Sequence, residues 1–166
     1  NYSTDIKKQF VIKNDFVETD NQYVDEIKKS NSVSICIRQH RFSERGFSDL
    51  NKSNKFTLDT ITYVKKSIKY FENKISNPKF FIWSNDFKNL SNHFDPSKFV
   101  FIENDKNKSI NDFNLFKYSK NFIVGPTTFH WWGAWLNNNP NKICVRPSNL
   151  NPSNNKDFWP DKWICI

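Results

Sequence analysis

Five short apolar runs punctuate the chain, each followed by a polar turn: Val33-Ser34-Ile35-Cys36-Ile37, Phe80-Phe81-Ile82-Trp83, Phe99-Val100-Phe101-Ile102, Phe122-Ile123-Val124 and, inside Lys142 to Pro147, Ile143-Cys144-Val145. All are of strand length and rich in β-branched and aromatic residues. Between them the pattern turns helical. Ile61, Val64, Ile68 and Phe71 recur at helical spacing with Lys65, Lys66 and Lys69 on the opposite face, and Thr57 or Asp59 is the expected cap. Phe87 to Leu90 opens a short helix, Asn111 to Phe116 another, and Trp131 to Leu136 a third, which stops in Asn137-Asn138-Asn139-Pro140. The order βαβαβαβαβ predicts an α/β fold: an open, mostly parallel, Rossmann-like sheet with helices on both faces. Residues 31–166 form that domain in this reading. Residues 1–30 are polar and mixed, with a short helix near Val24 to Ile27, and read as a lead-in from a preceding region. The chain has no Met, not even at position 1, and reads as a fragment of something longer.

Open parallel sheets bind ligands outside the carboxyl ends of their strands. Here those ends are residues 38–45, 84–86, 103–105 and 125–128, all polar and all expected along one edge. The net charge of +8 does not by itself point to nucleic acid. Only four of the 25 cations are Arg, and the Lys are scattered among abundant Asn, the mark of an AT-rich genome rather than of a concentrated basic face. The aromatic residues fall at apolar strand and helix positions, as core rather than as stacking platforms. Cys36, Cys144 and Cys165 stand singly, without a CxxC or a His at metal-ligand spacing, so a reducing compartment and no metal site are expected. No P-loop, GxGxxG, nucleophile elbow or HExxH is present.

What chemistry the chain offers lies at the strand ends. Val124-Gly125-Pro126-Thr127-Thr128-Phe129 reads as a buried strand, a tight turn and a helix start bearing hydroxyls. The free N–H groups there suit an anion, and Thr127 or Thr128 equally suits a plain N-cap. Arg38 directly follows the first strand, as a diphosphate clamp or as a surface arginine. Ser84, Asn85 and Asp86 touch a ligand or cap the next helix. Asp112 caps its helix or accepts the two N–H donors of a guanine ring. His40 and His130 are acid/base candidates by chemistry, and polar loop or helix-surface residues by position.

Taken together these segments resemble a known family. Residues 122–147, FIVGPTTFHWWGAWLNNNPNKICVRP, are similar to the last shared block of the α-1,2-fucosyltransferases (glycosyltransferase family 11), close to N-S-T-F-S-W-W-A-A-Y-L-N-x-N-P-N-K-I-V-x-P. Residues 77–87, NPKFFIWSNDF, resemble its N-P-x-F-x-I-F-S-D-D block. Asp112 with Leu115-Phe116 resembles D-x-x-L-M, and residues 163–166, WICI, the closing W-x-x-I. The similarity runs from about Ser32 to Ile166, the C-terminal donor-binding portion. The family's H-x-R-R-x-D stands here as Cys36-Ile37-Arg38-Gln39-His40-Arg41, with Arg38 alone retained. The resemblance implies inverting, metal-independent transfer of fucose from GDP-fucose to a galactoside hydroxyl in α-1,2 linkage. It implies Arg38 as the catalytic residue on the departing diphosphate. Ser84, Asp86, Asp112, Thr127, Thr128 and Phe129 join Arg38 in binding the donor, and Asp112 reads the guanine.

A second reading is a degenerate relative that binds a nucleotide or a glycan without catalysis, since Cys36, Gln39 and Arg41 depart from the pattern. A third, a basic RNA- or polyanion-binding module, rests on the net charge of +8 and the aromatic residues. The expected partners are GDP-fucose and an oligosaccharide or glycan acceptor, with peripheral membrane contact allowed and no nucleic acid. The expected setting is the cytoplasm of a bacterial or viral system. A Golgi lumen stays open if a membrane anchor has been cut away.

Overall fold

The computed structural model describes residues 2–10, 21–43, 49–103, 109–150 and 155–166. The chain runs α1 (Tyr2–Gln9), α2 (Val24–Lys29), β1 (Asn31–Ile37), α3 (Leu50–Lys74), β2 (Pro78–Ser84), β3 (Phe99–Phe101), α4 (Ser109–Leu115), β4 (Asn121–Ile123), α5 (Thr128–Leu136), β5 (Cys144–Arg146) and β6 (Ile164–Cys165). The strands form one sheet in the order β3-β2-β1-β4-β5-β6, every pair parallel. That is the strand order of Rossmann sheets, in which the direction of winding reverses between β1 and β4.

The pleat of β1 divides the core. Val33, Ile35 and Ile37 point to one face and pack with Ile61, Val64, Ile68 and Phe71 of α3. Cys36 lies on the other face with Phe116, Phe122 and Ala134, beneath α4 and α5, and Ile27 of α2 joins them there. Strands buried on both faces read as near-continuous apolar runs, which is why these segments lack a strict alternation. Tyr63 of α3, also buried, donates its hydroxyl hydrogen to the carbonyls of Val124 (3.1 Å) and Val145 (2.9 Å), tying the helix to the ends of β4 and β5. Among the described residues no helix is long and apolar enough to cross a membrane.

Three local expectations are corrected. The helix α3 starts at Leu50, because the Asp49 carboxylate accepts the Lys52 N–H at 2.8 Å and caps it there. Thr57 instead turns its hydroxyl back to the Ser53 carbonyl, and Asp59 pairs with Lys55 along the helix. The helix expected from Phe87 is a single 3-10 turn, Leu90–Asn92. Asn89 precedes it in the left-handed region (φ 65°), which an α-helix cannot include. Finally, a sixth strand pairs with β5 in the register Val145 to Ile164 and Arg146 to Cys165. Two exposed residues leave too little pattern for a sequence to announce it.

Candidate functional site

A cleft of about 600 Å³ opens along the carboxyl edge of the sheet. Cys36, Ile37 and Arg38 at the end of β1 line it, with Thr127 and Phe129 at the start of α5, so it spans the β1/β4 switch point. It extends past Trp83 to Lys88 after β2 and Ile102-Glu103 after β3, and Asp112 of α4 faces it. Among the described residues, two cations, Arg38 and Lys88, and three carboxylates, Asp86, Glu103 and Asp112, share its wall.

The switch-point end is built by close backbone approach. A Cβ on Gly125 would stand 2.2 Å from the Cys36 carbonyl oxygen, so only glycine fits where β4 leaves the sheet. Thr127 donates its N–H to the Gly125 carbonyl (2.7 Å), closing a tight turn. Its side chain then accepts the His130 N–H at 3.3 Å as the N-cap of α5. The first two N–H groups of the helix, on Thr128 and Phe129, have no intrahelical acceptor. Arg41 braces the turn from outside through the Pro126 carbonyl (3.3 Å). The Cys36 thiol hydrogen-bonds the Thr127 side chain, and burial pushes its pKa up to about 12, so it stays a neutral thiol.

The loops after β1 and β2 are clasped together. The Gln39 N–H is donated to Asn85 Oδ1 (2.7 Å), and Asn85 Nδ2 is donated back to the Gln39 carbonyl (3.0 Å). Gln39 Nε2 reaches the Asp86 carbonyl at 2.5 Å. Asp86 accepts the Lys88 N–H (2.8 Å) and meets His40 Nε2 at 3.0 Å. His40 itself sits in the left-handed region (φ 60°).

Of the residues singled out from the sequence, Arg38, Ser84, Asp86, Asp112, Thr127 and Phe129 line this one cleft. Thr128 is exposed and is not among the lining residues. Arg45, Asn104 and Asp105 lie outside the described residues. The expectation for His130 is corrected: it is fully buried and belongs neither to a loop nor to a helix surface. Its Nδ1 accepts the Gly125 N–H (3.2 Å), which fixes the ring proton on Nε2, and Nε2 donates to Ser34 Oγ (2.9 Å). Burial alone lowers its pKa to about 3. Glu103, from the strand end at 103–105, lines the cleft, and Lys88, Trp83 and Ser109 line it without having been singled out. Glu103 was legible as the first residue past a strand run. Ser109 carried no signal.

A model of the family described as Glycosyl transferase family 11 matches residues 4–166. The chain belongs to this family. The family 11 chain is 34% identical over 142 residues to the O-antigen biosynthesis glycosyltransferase WbnK of Escherichia coli, an alignment covering 84% of the chain and 46% of the relative. It is 30% identical over 152 residues to an alpha-1,2-colitosyltransferase of Escherichia coli, covering 86% and 50%. The chain thus spans about half the length of these curated relatives. No solved structure matches it.

Much of the family 11 pattern in the last block is architectural. Asn137 is buried and donates its Nδ2 hydrogens to the carbonyls of Phe116 and Ser119, both at 2.9 Å, while its Oδ1 accepts the Asn139 N–H. Asn139 repeats the device on the Lys120 carbonyl (3.1 Å). Lys142 donates to the Trp135 and Asn137 carbonyls at the end of α5, where a cation suits the helix dipole.

Proposed function

We propose that this protein is the donor-binding part of an inverting glycosyltransferase that moves fucose from GDP-fucose to a galactoside hydroxyl in α-1,2 linkage. The observation that carries the reading is the convergence of Arg38, Asp112, Thr127 and Phe129 on one cleft at the switch point of a family 11 chain. As the acceptor hydroxyl's oxygen bonds to the sugar carbon and its proton is released to solvent, the bond from that carbon to the β-phosphate oxygen breaks. Negative charge then develops on the departing GDP. Arg38 and the N–H groups at the start of α5 offer preorganised positive charge to it. Lys88 adds a second cation, and the transfer proceeds without a metal. Asp112 matches the paired N–H donors of guanine. Ser84 and Asp86 complete the donor side, and a glycan is the acceptor. This reading goes with a cytoplasmic enzyme making peripheral contact with a membrane.

The departures at Cys36, Gln39 and Arg41 favour a second reading, a relative that binds the nucleotide without transfer. Cys36 is a buried neutral thiol, Gln39 is held by Asp86, and Arg41 is held by Pro126. Incubation of the full-length protein with GDP-fucose and a galactoside separates the two. Release of GDP with formation of an α-1,2-fucosylated product, lost in Arg38→Ala, is expected. GDP binding with no product from any galactoside would leave the second reading standing.

A further inference from the structure

His130 is held through three hydrogen bonds. Its N–H goes to Thr127 Oγ1, its Nδ1 takes the Gly125 N–H, and its Nε2 is bonded to Ser34 Oγ on β1. In a capping box the cap hydroxyl accepts the N–H of the third helical residue, whose Glu or Gln side chain reaches back to the cap's own N–H. Here an imidazole makes the return reach, two residues further back to Gly125, and continues across to the central strand. A carboxylate in that place would set a full negative charge within one turn of the N–H groups of Thr128 and Phe129, opposing any anion that docks there. The imidazole makes the same reach without charge. Its ring neighbours among the described residues are apolar, Phe116 at 4.9 Å and Phe122 at 5.9 Å between centroids. Burial keeps it neutral.

Resting on the cleft as a nucleoside diphosphate site, we propose that His130 is a positioning residue for the diphosphate. Its ring, reaching back past the Thr127 cap, anchors the start of α5 to β1 through Ser34 and fixes the Thr128 and Phe129 N–H groups against phosphate oxygens.

The test compares GDP with guanosine, which lacks the phosphates, on wild type, Ser34→Ala, His130→Ala and His130→Gln, each first shown to be folded by circular dichroism. Glutamine can accept from Gly125 and donate to Ser34 while staying neutral. Ser34→Ala and His130→Ala should weaken GDP by about tenfold or more and guanosine by less than about threefold, with His130→Gln restoring most of the loss. Equal weakening of both ligands, or unchanged GDP affinity in both alanine variants, overturns the positioning role alone. A folded wild type that binds neither ligand overturns the reading of the cleft, and this proposal with it.

Discussion

Gly125 and Cys36 touch backbone to backbone. A Cβ on Gly125 would lie 2.2 Å from the Cys36 carbonyl oxygen and 3.3 Å from its carbonyl carbon. The contact joins the ends of β4 and β1 at the place in the sheet where the winding reverses, and Cys36 lines the cleft there. Gly133 answers a different need: a Cβ there would meet the ring of Phe116 at 2.3 Å, beneath α5.

Gly125→Ala must push a backbone apart rather than a side chain. A loss of about 3 kcal/mol is expected, the upper end of overpacking effects. Urea denaturation of the two proteins measures it. A loss below about 0.5 kcal/mol, the range of ordinary surface changes, would contradict the contact.

Arg38 and Arg146 are both half-buried arginines at strand ends, but only Arg38 lines the cleft. Arg146 bonds the Pro147 carbonyl and Cys165 Sγ beside β6. Arg38→Ala should therefore weaken GDP by about 2 kcal/mol or more, roughly thirtyfold. Arg146→Ala should leave the affinity within about threefold. Isothermal titration of both variants decides it, and equal effects would remove Arg38 from the site.

The buried imidazole of His130 gives a pH signature. In the unfolded chain it takes a proton near pH 6.5, whereas in the fold it stays neutral down to about 3. Between those values the unfolded state holds the extra proton. Stability is therefore fully present above about 6.5 and falls as the pH drops, by up to about 1.4 kcal/mol per unit. From pH 6.5 to 4.5 the wild type should lose about 2 kcal/mol more than His130→Gln, whose side chain does not titrate. Denaturant midpoints at the two pH values test this, and parallel losses would show that the ring is not held neutral.

The fold was legible because β1, β2 and β4 are largely buried apolar runs closed by polar turns, visible in their composition alone. The lining of the candidate site was legible to the same degree, since the cleft collects what ends or follows a strand: Arg38, Ser84, Asp86 and Thr127. His130 was not, because a histidine beside tryptophans carries no mark of burial. Its partners Ser34 and Gly125 are 96 and 5 residues away, and no local pattern links them. The start of α3 was hidden by a polar first turn, and the two-residue β6 exists only through its pairing with β5. The stretch of asparagines after α5 looked like a plain stop signal, and its bonds to the carbonyls of the preceding loop come from tertiary structure alone.

The central claim is that the cleft holds a guanosine diphosphate, with Arg38 on the phosphates and Asp112 on the base. Calorimetric titration with GDP, with ADP as the control, tests it most directly. GDP should bind and ADP should not, and GDP binding should be lost in both Arg38→Ala and Asp112→Ala. A folded protein that binds neither nucleotide, or that binds both alike, would contradict it.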